Sequence, residues 1–239
     1  MDATMASAAV QKALDELRNG RFVLVYDADG REEETDMVVA SESVTPDVIR
    51  VLRKDAGGLI CTTADVRVQE ALGLPFLSEL FLGMAEHYPI MQKLMPNDIP
   101  YDVKSAFGIT INHRKTFTGI TDDDRALTIT EFASLAKRAL SSEDGWAKNE
   151  FGKNFRAPGH VHLLNTSKRI LETRFGHTEL ATALVIMAGL VPSATVCEMM
   201  GDNGKALSKE KAREYARAHG HMFLEGADIV AAWKELKGG

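Results

Sequence analysis

Cysteine is scarce. Cys61 and Cys197 are the only two thiols in 239 residues, too few to staple a fold or to build a cysteine-ligated zinc centre. Each sits in an apolar run, so both are expected as buried thiols of a protein from a reducing compartment. Long apolar stretches are also missing. Nothing approaches the ~18 residues of a membrane span, and the first thirty residues lack the basic-then-apolar form of a signal peptide. A cytoplasmic chain with no membrane partner is the expectation. Basic charge is not in surplus either: 28 Lys and Arg face 34 Asp and Glu, a net charge of −6. That balance argues against a sequence-independent nucleic-acid binder, which needs cations to neutralise phosphates. There is no internal repeat and no low-complexity tract.

What remains is an ordinary globular composition, 45% hydrophobic and 26% charged, at a length that allows one large domain. Val10, Leu14 and Leu17 are spaced for an amphipathic helix over residues 7–18 that stops at Gly20. Residues 21–26 and 37–40 read as strands around an acidic loop. Thr45-Pro46-Asp47 opens a helix running to Ala56, followed by a strand at 59–63 and a short helix ending near Gly73. Residues 74–104 carry four prolines and no steady period, and are expected as an irregular excursion with helical turns. Residues 107–111 alternate as a strand, with 116–121 as its possible neighbour. Thr128-x-x-Glu131 reads as a capping box for a helix to Leu140. A loop at 141–145, strands at 160–164, 194–198 and 222–224, a helix at 178–188 and two closing helices complete the order. The expected fold class is α/β (α+β), a single layered domain over residues 1–239 with a mixed β-sheet flanked by helices.

The negative charge is concentrated. Asp27, Asp29, Glu32, Glu33, Glu34 and Asp36 are opposed only by Arg31, so five of the six net charges lie within ten residues just after a strand. A solvated loop is the plainest reading of such a run; a divalent cation held by one or two carboxylates is the chemical one. Arg174-Phe175-Gly176-His177-Thr178-Glu179 precedes an apolar helix, whose exposed N–H groups and positive dipole end favour a phosphate, with Arg174 and the Thr178 hydroxyl as further donors. Arg156-Ala157-Pro158-Gly159-His160 is expected as a turn delivering His160 to a strand start, with His162 on the opposite face. Glu198 is an acid amid apolar neighbours, and with a histidine it could move protons. Metal, phosphate and acid/base elements together suit proton abstraction beside a carbonyl on a sugar phosphate.

In order and separation, Arg31-Glu32-x-Glu34-x-Asp36, Arg156-x-Pro158-Gly159-His160-Val161, Gly176-His177-Thr178-Glu179 and Cys197-Glu198 resemble the 3,4-dihydroxy-2-butanone 4-phosphate synthase family of riboflavin biosynthesis. The resemblance covers about residues 10–224. It implies a homodimeric Mg²⁺- or Mn²⁺-dependent lyase that converts D-ribulose 5-phosphate into L-3,4-dihydroxy-2-butanone 4-phosphate and formate. It further implies Glu32 and His177 as metal ligands and His160 and Glu198 as the catalytic pair. Arg31, Glu32, Asp36, Arg174, Gly176, His177, Thr178 and Glu198 would hold substrate, with Asp27, Glu34 and Cys61 as active-site neighbours. Thr35 stands where many members have glycine, and residues 74–104 are longer than in compact members. With no cysteine cluster for the zinc of the cyclohydrolase domain fused to many relatives, a monofunctional chain is expected.

Two other readings compete. Val23 to Gly30 follows the strand-then-D-x-D pattern of haloacid-dehalogenase-like phosphatases, in which Asp27 would be the nucleophile and Asp29 the acid. A regulator could also bind metal or sugar phosphate at the same pockets without turnover.

Overall fold

The computed structural model describes residues 3–142 and 145–238. Seven strands form one mixed sheet: β1 (Val23–Tyr26), β2 (Thr35–Ala40), β3 (Cys61–Ala64), β4 (Phe107–His113), β5 (Phe155–Asn165), β6 (Ala194–Glu198) and β7 (Met222–Glu225). Their spatial order is β4-β5-β3-β6-β2-β1-β7. The β1–β7 and β3–β5 pairs are parallel and the other four antiparallel. Strands β1, β2 and β3 are buried at every position, as expected of strands covered on both sides.

Helices supply the two covers. Against one face lie α1 (Ala3–Arg18), α8 (His177–Met187) and α10 (Gly226–Gly238), with Leu14, Leu17, Leu180, Leu184 and Ile229 packed on Val25, Val38 and Val196. Against the other lie α2 (Pro46–Val51), α3 (Val66–Leu72), α6 (Asp122–Ala139), α7 (Trp146–Asn154) and α9 (Lys209–His219). There Phe132, Ile129, Ile49 and Leu52 meet Leu24, Met37, Ile111 and Leu163. Each such fully buried side chain is worth about 1.5–3 kcal/mol of transfer free energy. The result is the layered mixed-sheet domain expected from the sequence.

Local chemistry sets the helix ends. Thr45 caps α2 by accepting from the Val48 N–H, and Pro46 follows at the first helical position, where its missing donor costs nothing. The backbone continues through a wider turn over Leu52–Ala56 to Gly57. Residues 74–104 form the expected excursion, with two short helices, α4 (Leu77–Gly83) and α5 (Ile90–Lys93).

Several expectations are corrected. The helix assigned to start at Thr128 begins at Asp122, capped by Thr121, because three aspartates in its first turn suit the positive end of the helix dipole. Thr128 is instead buried mid-helix, its hydroxyl accepting from the His113 N–H. Residues 116–121 are not a strand: the Asp124 carboxylate gathers the N–H groups of Phe117, Thr118 and Gly119 into a turn. Helix α7 has no counterpart in the sequence reading. The proposed loop at 141–145 includes Glu143 and Asp144, which lie outside the described residues. Pro158-Gly159 does not precede a strand but lies inside β5, where the Ala157–Pro158 bond is cis and Gly159 passes too close to the Ile111 backbone for any side chain.

Candidate active site

The acidic loop is a folded turn between β1 and β2, organised by Asp27. That residue is 3% exposed. Its Oδ2 accepts from the Glu32 N–H at 3.0 Å and from Arg31 Nη1 at 3.1 Å, and its Oδ1 accepts from the Glu34 N–H at 3.2 Å. Both oxygens are thus spent on holding the turn, which leaves no nucleophile for a phosphatase of the D-x-D type. Asp29 points outward, bound to the Tyr26 hydroxyl. The left-handed positions of the turn are Gly30 and Glu33. Thr35 is the first residue of β2, paired with Tyr26, so the absence of glycine there carries no strain.

Around this turn three elements converge. Strand β2 contributes Asp36 and β6 contributes Glu198, directly opposed in the β2–β6 ladder. Helix α8 begins at His177, with Gly176 as N-cap. His177 Nδ1 lies 3.3 Å from Glu32 Oε2, and its Nε2 lies 3.7 Å from Asp36 Oδ1. Neither that Nε2 nor Asp36 Oδ1 has a hydrogen-bond partner, although both are buried. Such orphaned groups are costly unless something occupies the space between them. One ligand atom each from Asp27, Glu32 and His177 lie within 4.8 Å of one another.

The charges distort titration strongly. Burial alone would lower the His177 pKa, but the Asp36 and Glu32 carboxylates outweigh it and raise it to about 10. For Asp36 burial dominates, seconded by Glu198, Glu32 and Glu34 against the opposing pull of His177, and its pKa rises to about 8. Glu32 goes the other way: burial would raise it, yet His177 and Arg31 bring it down to about 2. Glu34 is raised by burial and then by the charges of Glu32 and Glu198. An ionised Glu32 beside a buried imidazole and further carboxylates is a donor set that fits a divalent cation, and the imidazole makes Mn²⁺ as suitable as Mg²⁺.

Next to this cluster two arginines meet. Arg31 Nη2 and Arg174 Nε both donate to Asp102 Oδ2, at 2.9 and 2.6 Å. Arg174 also binds Glu179, which is wholly buried. The guanidiniums close over Gly176, where a Cβ would come within 2.6 Å of Arg31 Nη2 and 2.8 Å of Arg174 Nη1. Any side chain there would push them apart. Thr178 is buried in the first turn of α8, whose first N–H groups have no intrahelical partner. Glu32, Asp36, Arg174, His177, Thr178 and Glu198 all line one cavity of about 160 Å³, together with Tyr101 and Asp102.

The sequence reading missed Asp102, Tyr101 and Glu179. Asp102 and Tyr101 lie in the excursion, where no periodicity gives direction; Glu179 stands in the Gly176-to-Glu179 motif, which by itself gives it no role. Cys61 is buried on β3, between His162 of β5 and Val196 of β6. Burial, then the carboxylates of Glu198 and Asp36, raise its thiol pKa well above the usual value, which keeps it protonated. Glu198 Oε2 accepts from the Leu59 N–H at 2.7 Å and packs on Gly58, where a Cβ would collide with it.

His160 stands apart. It is exposed on β5, held by Asn112, whose Nδ2 lies 3.1 Å from His160 Nδ1 and whose Oδ1 accepts the His160 N–H. It makes no hydrogen bond to Glu198 and does not line the cavity. Residues two apart on a strand share a face, so His160 and His162 lie on one side of β5 rather than on opposite sides as expected; Val161 and Leu163 fill the other.

Fold and site together define a mixed-sheet α/β protein in which a carboxylate–histidine cluster lies beside two arginines that share one carboxylate. The family model for 3,4-dihydroxy-2-butanone 4-phosphate synthase matches residues 11–232. The chain is 49% identical over 229 residues to the 3,4-dihydroxy-2-butanone 4-phosphate synthase of Methanothermobacter thermautotrophicus, covering 95% of this chain and 97% of that protein. It is 41% identical to that of Archaeoglobus fulgidus, again over 229 residues, 95% and 94% of the two chains. A crystal structure of a 3,4-dihydroxy-2-butanone 4-phosphate synthase in complex with two magnesium ions superposes with a TM-score of 0.74 at 25% identity, over 96% of this chain and 98% of that one. The chain belongs to the 3,4-dihydroxy-2-butanone 4-phosphate synthase family.

Proposed function

We propose that this chain, acting as one synthase domain, converts D-ribulose 5-phosphate into L-3,4-dihydroxy-2-butanone 4-phosphate and formate, a lyase step of riboflavin biosynthesis. Family membership supports the reaction. The observation in the site that carries the reading is the orphaned pair, His177 Nε2 and Asp36 Oδ1, buried without partners against an ionised Glu32.

Glu32 and His177 would hold a divalent cation, Mg²⁺ or Mn²⁺, with Asp36 beside it. When bound, that ion supplies Lewis-acid polarisation of the substrate carbonyl and its neighbouring hydroxyl. The phosphate docks on Arg174, the Thr178 hydroxyl and the free N–H groups at the start of α8, an arrangement that concentrates positive potential on an otherwise acidic wall. Arg31 orients Glu32 through a 2.6 Å contact and faces the same anion. Asp27 holds the turn that carries both, so its part is positioning. Glu34, with its pKa raised, lies at the edge of the cluster.

Proton transfer at the carbon next to the carbonyl falls to Glu198 and His160. Glu198 is half-buried at the cavity wall, anchored by the Leu59 N–H through one oxygen, which leaves the other to accept a proton. His160 carries a ring whose Nδ1 faces the Asn112 amide donor, and that contact favours the tautomer with the proton on the outward Nε2. Because this ring is exposed and outside the cavity of its own chain, the proposed homodimer is the assembly in which it would meet substrate. The protein is proposed to act in the cytoplasm; no described helix is long and apolar enough to cross a membrane.

Incubation with ribulose 5-phosphate, with and without EDTA, tests the function. Formate that appears only with Mg²⁺ or Mn²⁺ supports it. Phosphate release, or no product under any metal condition, overturns it.

A further inference from the structure

The two arginines that form the anion seat are already occupied by the protein itself. Asp102 Oδ2 accepts from Arg31 Nη2 and Arg174 Nε, as one oxygen of a bound phosphate would. Its side chain is only 7% exposed, while its neighbours Tyr101 and Val103 are 45% and 91% exposed. Its carboxylate dips inward from a segment that is otherwise largely exposed. That chain is weakly tethered: residues 98–105 make no backbone-to-backbone hydrogen bond among the described residues. Its attachments are side-chain contacts, chiefly Asp102 on the arginines, Tyr101 beneath the Arg31 guanidinium at 5.6 Å and Lys104 over the Phe76 ring at 4.0 Å. Ile99, Tyr101, Asp102 and Arg174 line both the inner cavity and a second, outer cavity of about 500 Å³, which Val103 and Phe175 also line.

Charge makes the occupancy exclusive. Arg31 already faces Asp27 and Glu32, and Arg174 faces Glu179, so Asp102 brings a fourth carboxylate to two guanidiniums. A phosphate seated on the same donors would meet that carboxylate at contact distance, where two anions in a partly desolvated site repel strongly. They cannot share the seat.

We propose that Asp102 is a specificity-determining residue: a built-in anion that holds the Arg31–Arg174 seat until a phosphate dianion displaces it, residues 98–105 moving outward with it. A neutral sugar offers the arginines nothing in exchange for the carboxylate, and a monocarboxylate offers only what is already there. The dianionic phosphate ester alone gains by the exchange. This rests on the reading of Arg174 and the α8 start as the phosphate seat.

The test uses the whole 239-residue chain and inorganic phosphate, titrated calorimetrically into wild type and Asp102→Asn. Because a seat that is open only part of the time binds with an affinity reduced by that fraction, Asp102→Asn is expected to bind phosphate about threefold or more tightly. Its KM for ribulose 5-phosphate should fall in step. Unchanged or weaker phosphate binding overturns the proposal and makes Asp102 a permanent brace for the arginines. A second measurement leaves Asp102 intact: a fluorophore on Val103→Cys, selective because Cys61 and Cys197 are buried, should change emission on adding phosphate. A label that does not respond also overturns the proposal. Failure of the proposed reaction is separable, since it shows as absence of formate whatever the phosphate affinity.

Discussion

Asp36 and Glu198 face each other directly across the β2–β6 ladder, two carboxylates at adjacent positions on one face of a sheet. Like charges directly opposed destabilise a sheet, and here a third carboxylate, Glu32, lies on the far side of the His177 ring. Folding therefore crowds three carboxylates around one ring, and the cluster holds protons on His177 and Asp36 that a divalent cation would replace. Mg²⁺ or Mn²⁺ added at about 100 times its Kd should stabilise the fold by about 2.7 kcal/mol, a rise in Tm of roughly 5–10 °C for a chain of this size. EDTA should reverse it. A melting temperature insensitive to both, measured by differential scanning fluorimetry, would remove the cation site.

The same crowding gives stability a pH dependence when chelator is present. His177 and Asp36 both have folded pKa values above their ordinary ones, about 10 and about 8. Stabilisation from a raised group is complete below its unfolded pKa and is lost as pH climbs through the folded value. Both slopes therefore have the same sign: the metal-free protein should lose stability from about pH 4 upward through Asp36 and from about pH 6.5 through His177, the His177 part ending near pH 10. His177→Gln should flatten that part of the profile in urea melts. Glu32 acts at the opposite end: with its pKa lowered to about 2, its contribution is present above about pH 4.5 and is lost as pH falls toward 2.

Glu198→Gln keeps an oxygen to accept the Leu59 N–H while removing the proton acceptor. Formate production should fall by about 10²–10⁴-fold, the range for loss of a general acid or base, with little change in melting temperature. His160→Asn should give a comparable fall. Because that ring is exposed, its removal should cost within about 0.5 kcal/mol of stability. Full turnover in either variant would free that residue from the role given to it.

At Gly176 a single methyl group suffices. Gly176→Ala would place a Cβ against the tips of Arg31 and Arg174, both flexible, so the fold should survive while the two guanidiniums splay. Loss of about one charge-assisted hydrogen bond to phosphate corresponds to about tenfold in KM for ribulose 5-phosphate. An unchanged KM would mean that the guanidinium spacing is not what binds the anion.

Sedimentation or light scattering should report twice the 26.2 kDa of one chain. A monomer with full activity would contradict the homodimer and, with it, the means by which His160 reaches substrate.

Much of this was legible in the sequence because it rests on local signals. The Arg31-to-Asp36 run marked a strand-end site, Gly176-His177-Thr178 marked a helix start, and β6 ended at Glu198 as its apolar run implied. What escaped detection depended on long-range contacts. Nothing near Asp102 in sequence says that Arg31 and Arg174, 71 and 72 residues away, would both reach it. Thr128 imitated a cap, but the three acids at 122–124 were the stronger helix start. The alternation of β5 was misread, and its bulged pairing with β4 let Pro158 and Gly159 sit within a strand, where their usual meaning is a turn.

Arg31 touches both halves of the site at once: through Nη1 it holds Glu32, and through Nη2 it holds Asp102. A guanidinium is rigid and planar, so what tugs on one edge is felt at the other. With the cation and phosphate sites as proposed, an anion arriving at the arginines would alter how firmly Glu32 is presented to a cation, and thermodynamic reciprocity would require the cation to alter anion affinity by the same factor. On that reading cation and phosphate would be linked ligands of one side chain, and the linkage should be measurable as one coupling constant shared by both titrations.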